Sequence, residues 1–166
     1  MSQQGVIRPA VGGPAGDSAI LRRGGIADLD AVHRVQRDAY AANRLVLGVE
    51  PLPLTADYRH VLQTREVWVA EIASDIVAVL ILVLESDCLL IWSIATAPAL
   101  QGFGLGRRLL THAEAEARRL GYCRVRLYTG EKLGLNIAWY ARHGYVYHHR
   151  EDLPDRCIVH FLKTLE

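Results

Sequence analysis

Several protein classes leave marks that this sequence does not carry. It has three cysteines, Cys88, Cys123 and Cys157, an odd count without a CxxC pair. That excludes a disulfide framework and a zinc knuckle, and fits thiols acting as small apolar groups in a reducing, cytoplasmic compartment. Seven histidines occur without HxxxH or HExxH spacing, so no metal is expected. His148 and His149 are adjacent, and on a strand their rings should diverge. Charge of one sign is also lacking. The net charge is +1, which leaves no strongly basic face for nucleic acid. The longest apolar run, residues 76–84, is too short to span a bilayer, so no membrane partner is expected. No basic segment leads into an apolar core at the start, so no signal peptide is read.

What is present describes one soluble domain. The chain has 166 residues, 51% hydrophobic and 22% charged, enough for a sizeable core. Residues 1–17 are rich in glycine and proline, lack periodicity, and read as a flexible tail ahead of a single domain, 18–166. A short strand is expected near 19–22. Asp28 can cap a helix to about Ala42, with apolar residues at helical spacing. Residues 45–54 carry Gly48, Pro51 and Pro53 and read as a loop. Thr55 can cap a helix over 56–64. A hairpin, 67–72 and 76–84, turns at Ser74-Asp75, and 89–96 is a further strand stopped by Pro98. Such apolar strands are normally covered on both faces. Residues 106–120 read as an amphipathic helix ended by Gly121, with Glu114 and Arg118 placed to pair. A strand over 124–128, a helix over 135–142 stopped by Gly144, and a last strand over 157–162 complete an α/β order.

The most informative stretch is Gln101-Gly102-Phe103-Gly104-Leu105-Gly106. It follows an apolar strand and opens a helix. A helix start offers unpaired N–H groups and the positive end of the dipole to an anion. Glycines let a phosphate approach the backbone and permit positive φ. A nucleoside-triphosphate loop requires a terminal Gly-Lys-Ser/Thr, but Arg107 and Arg108 follow Gly106. A dinucleotide fold requires GxGxxG and a later acidic residue, which the next strand, ending Arg126-Leu127-Tyr128, does not supply. A structural turn is the plain alternative.

The pattern Gln-x-x-Gly-x-Gly resembles the pyrophosphate loop of the GNAT superfamily of N-acetyltransferases. Ile94-Ala95-Thr96-Ala97-Pro98 is similar to that superfamily's fourth strand. Leu127-Tyr128-Thr129 and Asn136-Ile137-Ala138-Trp139-Tyr140, closed by Gly144-Tyr145, resemble its later motif. Gly48, Pro51, Pro53, Asp57 and Tyr58 resemble an acceptor-side loop of one bacterial branch. The likeness covers residues 19–166. It implies a central mixed, mostly antiparallel sheet, splayed between strands 4 and 5 and flanked by about four helices. Acetyl-CoA would lie in the opening as co-substrate. Its pantetheine arm would meet Ile94, Ala95 and Thr96. Its pyrophosphate would meet Gln101, Gly102, Phe103, Gly104, Leu105, Gly106 and Arg107.

Acetyl transfer requires a neutral amine held against the thioester carbon, a donor for the oxyanion, and a proton for the leaving thiolate. Tyr140 is the candidate acid, because a phenol with a pKa near 10 is protonated at neutral pH. Asn136 precedes it by one helical turn and is placed to bond the pantetheine. The alternative for Tyr140 and Trp139 is core packing, and Trp139 is assigned there. The family's acidic position on the fourth strand falls at Trp92 and Ser93, neither of which is acidic. A water chain to Glu71, or an amine arriving neutral, would serve, and Trp92 facing the cleft would make the acceptor pocket apolar. The expected acceptor is a small-molecule or peptide amine lined by Trp92, Glu71 and Tyr58. Oligomeric state is open, a homodimer being one option. A non-catalytic acyl-CoA sensor is the competing class.

Overall fold

The computed structural model describes residues 18–166, so the expected tail at 1–17 lies outside the described residues. The strands are β1 (Ile20–Arg23), β2 (Glu66–Ile72), β3 (Asp75–Leu84), β4 (Leu89–Thr96), β5 (Arg124–Gly130), β6 (Val146–Leu153) and β7 (Arg156–Thr164). The helices among the described residues are α1 (Leu29–Leu47), α2 (Tyr58–Thr64), α3 (Leu105–Arg119) and α4 (Gly134–Arg142). The strands form one sheet in the order β1-β2-β3-β4-β5-β7-β6. Only β4 and β5 run parallel, and every other neighbouring pair is antiparallel.

Alternation along β3 explains why the sheet is covered twice. Successive side chains on a strand point to opposite faces. Ala78, Leu80 and Leu82 pack with Leu105, Leu109, Leu110, Ala113 and Ala117 of α3. Val79 and Ile81 pack with Val32 and Val35 of α1 and Tyr58 and Val61 of α2. A strand that is apolar on both sides therefore serves two cores, one per face. Fully burying one of these leucines stabilises the fold by about 1.5–3 kcal/mol.

The helix boundaries shift for local reasons. α1 continues five residues past the expected Ala42 and takes in Leu45, Val46 and Leu47. It stops where Gly48 adopts φ +71 and donates back to the Arg44 carbonyl, a left-handed ending that glycine permits. Residues 52–55 form a 3₁₀ turn instead of open loop. Thr55 does not cap α2. Asp57 does, its carboxylate accepting from the backbone N–H of Arg59 and His60 at 2.9 and 3.4 Å. The hairpin turn between β2 and β3 places Ala73 and Ser74 at positive φ. Glu114 pairs with Lys163 at 2.8 Å rather than with Arg118, which reaches the Glu166 carbonyl.

The strand that the pattern analysis passes over is β6. Its residues, Val-Tyr-His-His-Arg-Glu-Asp-Leu, are exposed along nearly the whole length. An edge strand solvated on both faces has no apolar alternation to read. A register shift between Tyr147 and His149 breaks its pairing with β7. That irregularity brings the His148 and His149 rings together, with their Nδ1 atoms 2.7 Å apart, so they do not diverge. Of the three free cysteines only Cys88 is buried; Cys123 is exposed and Cys157 half-buried beside Arg150 and Asp152, so the latter two are not small apolar core groups. No helix among the described residues is long and apolar enough to cross a membrane.

Asp28 stands at the start of α1 but does not bond that helix. Its carboxylate takes two hydrogen bonds from Arg22 at 2.8 and 2.9 Å and one from the Gly25 N–H at 2.9 Å. Arg22 also donates to Glu71 at 2.7 Å. The Arg22 hydrogen bonds hold the Asp28 carboxyl below its usual range. A depressed carboxylate pKa contributes stability that is full above the ordinary value near 3.9 and is lost as pH falls through the folded value. Because Arg22 is 38% exposed, solvent screening reduces the worth of the pair. Asp28→Asn should therefore cost about 1 kcal/mol at pH 7, with the gap to wild type closing as pH falls below about 4. Urea denaturation across this range measures it, and a gap constant with pH would show that the charge is immaterial.

Candidate active site

β4 and β5 pair over only three positions, Leu89↔Val125, Leu90↔Arg126 and Ile91↔Leu127. β4 then runs on to Thr96 and β5 to Gly130, with no further pairing between them among the described residues. The separation begins at a β-bulge. Leu82 of β3 faces Ile91 and Ile81 faces Ser93, so Trp92 is the extra residue on β4. A bulge bends its strand and increases the local twist. It also turns Ser93 and Ala95 to the α1 side of the sheet. The gap opens into a cavity of about 560 Å³. Its walls include Trp92, Ile94, Ala95 and Thr96 of β4, Tyr128–Gly130 of β5, and α4.

One end of this cleft is the glycine turn. Gly102 and Gly104 have φ of +84° and +89°, and a Cβ on either would meet no heavy atom within 4 Å. Their glycine character thus serves backbone conformation and open space, not packing. Gly104 immediately precedes α3, whose first N–H groups have no helical partner. Gln101 anchors the turn by donating from Nε2 to the Thr96 carbonyl at 3.2 Å. Gly106 has a different reason: a Cβ there would lie 3.2 Å from the Trp139 ring. Trp139 therefore both packs on α3 and lines the cleft. Arg107 lines the cleft, while Arg108 donates to the Ala19 carbonyl at 2.5 Å. Leu105 points into the core and Phe103 is half exposed, and neither side chain lines the cavity.

The middle and far end are aromatic. Tyr140 is 7% exposed and lines the cleft. Burial pushes its phenol well above the usual range, which keeps the proton on. Asn136, one turn earlier, lines the same wall and lies 3.5 Å from the Thr129 hydroxyl. Opposite stands Tyr40 of α1, with its hydroxyl 3.1 Å from Ser93 Oγ. Ser93 donates in turn to Gln36 Oε1 at 2.9 Å, so Tyr40 is the donor to Ser93. Tyr128 follows the last residue of β5 that pairs with β4, and burial pushes its phenol up to about 12. The Trp92 ring lines the cleft, with the Arg65 guanidinium 4.1 Å from its centroid. Arg65 Nη1 is buried and without a hydrogen-bond partner.

Of the residues that the sequence singles out, the cleft brings together Trp92, Ile94, Ala95, Thr96, Gln101, Gly102, Gly104, Gly106, Arg107, Asn136 and Tyr140. Two lie elsewhere. The Tyr58 hydroxyl is buried and donates to the Pro53 carbonyl at 2.7 Å. Glu71 is tied to Arg22 on β1 and β2 and does not reach the cleft. The sequence reading passed over Tyr40, Asn43, Tyr128, His143 and Arg156, all of which line it. Asn43 and Leu47 reach it because α1 is longer than expected. Tyr40 carries a helical-spacing signal and Tyr128 sits in a quoted motif; Arg156 carries none.

His149, Glu151 and His160 bring ligand atoms within 4.8 Å of one another. Arg126 donates to His160 Nδ1 at 2.7 Å, and His160 Nε2 is 2.8 Å from Glu151. With Nδ1 accepting from arginine, Nε2 carries the hydrogen and donates to Glu151. Arg126, His160 and Glu151 thus form a hydrogen-bonded chain, and the His149 ring stacks on His160.

A sequence model described as the acetyltransferase (GNAT) domain matches residues 63–147, just over half of the chain. The chain belongs to the GNAT acetyltransferases. It is therefore an acyltransferase by family, and its sheet is that family's fold. No curated protein matches the sequence. Among solved structures, the PaiA N-acetyltransferase of Thermoplasma acidophilum, in complex with coenzyme A, superposes with a TM-score of 0.74 at 16% identity, over 89% of this chain and 99% of that one. The ribosomal-protein-S18-alanine N-acetyltransferase of Escherichia coli gives 0.72 at 18% identity, over 89% and 94%. A GNAT family acetyltransferase of Elizabethkingia anophelis with acetyl-CoA bound gives 0.64 at 15% identity, over 90% and 99%. At these identities the likeness is one of fold.

Gly104→Val tests the turn. A β-branched residue at φ +89 is strained by about 1–2 kcal/mol, and its side chain fills the space above the α3 N-terminus. Calorimetry should show coenzyme A affinity reduced at least about tenfold, because the N–H groups that would receive a phosphate are displaced. Unchanged affinity in a folded variant would reduce the loop to a structural turn.

Proposed function

We propose that the protein is an N-acetyltransferase that moves the acetyl group of acetyl-CoA to a primary amine by direct attack. The observation that carries this reading is the meeting of the unpaired β4–β5 gap with the glycine turn at the start of α3, beside Tyr140. The pantetheine arm would lie along Ile94–Thr96 as a surrogate strand, bonding the backbone groups that β5 leaves free. The pyrophosphate would sit on the N–H groups of residues 102–107, with Arg107 beside it and Asn136 bonding the arm.

In the reaction the amine nitrogen forms a bond to the thioester carbon, the carbon–sulfur bond breaks, and one proton passes from nitrogen to sulfur. Tyr140 is the general acid of this proposal. Its phenol is less acidic than a thiol, whose ordinary pKa is near 8.5. Donation to sulfur is therefore favourable only when coupled to loss of a proton from the acylated nitrogen. A buried phenol suits that relay, since it does not ionise by itself near neutral pH. The acceptor would enter from the side of α1 and residues 51–53, against Trp92, Tyr40 and Tyr128.

Acetyl-CoA at about 100 times its dissociation constant should stabilise the fold by roughly 2.7 kcal/mol. A melting temperature unmoved by millimolar acetyl-CoA would count against the site. Thiol release across a panel of amines tests turnover; tight coenzyme binding with no turnover on any amine would select a sensor instead. Tyr140→Phe keeps the ring and removes the hydroxyl. Turnover should fall about 100-fold while acetyl-CoA affinity, by calorimetry, holds. Wild-type turnover in the folded variant would remove Tyr140 from the mechanism.

A further inference from the structure

We infer that no described residue of this cleft acts as a general base, so that the enzyme takes up its acceptor amine already neutral and thereby selects weakly basic α-amino groups over lysine side chains. The inference rests on the acetyl-transfer reading and names the substrate class of the same site.

The charged and titratable groups around the acceptor end are few. From α1 come Asp38 and Tyr40; Asp38 is the one carboxylate lining the cavity among the described residues, is exposed, and lies 3.7 Å from Arg37. From β5 comes Tyr128, and from the start of β7 Arg156, which is paired with Asp155 and donates to the Glu50 carbonyl. From α4 come Tyr140 and His143. His143 donates from Nδ1 to the Trp139 carbonyl, which leaves Nε2 as its acceptor nitrogen, and its ring lies tilted against Trp139, whose ring is over Gly106. This contact groups His143 with the glycine turn and Arg107, and its part is tested below. On β4 the chain from Tyr40 through Ser93 ends at the Gln36 amide. An amide does not ionise, so that chain carries no proton away. Glu71 and Glu85 are engaged by Arg22 and Arg126 outside the cavity.

The positive groups act in the same direction. Arg65 stacks on Trp92 with a buried, unpartnered Nη1 and forms no ion pair among the described residues. An ammonium placed against Trp92 would meet that charge across the ring in a half-desolvated site, where the one carboxylate on the wall, Asp38, is exposed and beside Arg37. A neutral amine meets no such penalty. At pH 7 the neutral fraction of an α-amino group exceeds that of a lysine side chain by about 300-fold, from their ordinary pKa values.

The test uses acetyl-CoA at saturation and two peptides: one with a free N-terminus and no lysine, and the same peptide N-acetylated and carrying one lysine. Thiol release gives kcat/KM from pH 6 to 10.5. Each profile should rise tenfold per pH unit and level at the pKa of its own amine, near 8 for the first and near 10.4 for the second. At pH 7 the α-amine should be preferred about 100-fold or more, and the preference should shrink below about tenfold at pH 10.5. Asp38→Asn and His143→Gln should keep the same profile shapes. Levelling of both peptides at one pH below 8, a faster lysine peptide at pH 7, or loss of the rising limb in either variant would each reveal a protein base and overturn the inference. Turnover with neither peptide nor any other amine, with acetyl-CoA still bound, would overturn the acetyl-transfer reading instead.

Discussion

The structure is organised by a pairing that stops. β4 and β5 share three residue pairs and then part at the Trp92 bulge. Backbone N–H and C=O groups must find partners when they leave water, so two facing strand edges define a slot shaped for an extended ligand. The bulge also reverses which side chains of β4 face which layer. Before it Leu89 and Ile91 serve the α3 core; after it Ser93 and Ala95 face α1. One inserted residue thus opens the cleft and brings a serine hydroxyl to meet Tyr40 and Gln36.

The chemistry of the cleft follows from what its two ends are made of. One end is backbone: two glycines at positive φ and an uncapped helix start, with Arg107 beside them. The other is rings: Tyr40, Trp92, Tyr128 and Tyr140, with burial keeping the phenols protonated and the Gln36 amide behind Ser93. The Gln36 Nε2 and Arg65 Nη1 atoms are buried there without partners. Unsatisfied polar atoms are uncommon in folded proteins and costly. Two further such atoms, Trp68 Nε1 and His112 Nε2, lie on the α3 side, so each face of the sheet carries a pair.

Much of this was readable in the order of residues. The apolar runs of β3 and β4, the glycine punctuation at 102, 104, 121 and 144, and the amphipathic α3 each carry a local physical signal. Residues 89–96 coincide with β4, and the glycine turn lies where a helix start was expected. What was not readable depends on contacts between distant segments. β6 is polar on both faces and exists because β7 offers it an edge. Glu71 looks like a free carboxylate until Arg22 and Asp28 are seen beside it. Tyr58 looks like a site residue until its hydroxyl is found on Pro53. The bulge at Trp92 has no sequence mark, since tryptophan suits a regular strand equally well.

The short β4–β5 junction also has a mechanical meaning. A fully laddered sheet resists shear between its halves, whereas this one has a compliant seam near its centre. Among its strands, β1–β4 meet β5–β7 through those three pairs, with α3 packed across both halves. A molecule lying along the seam and bonding both edges would supply the missing rungs. Occupancy would then stiffen the sheet itself, along the line where its own ladder is shortest.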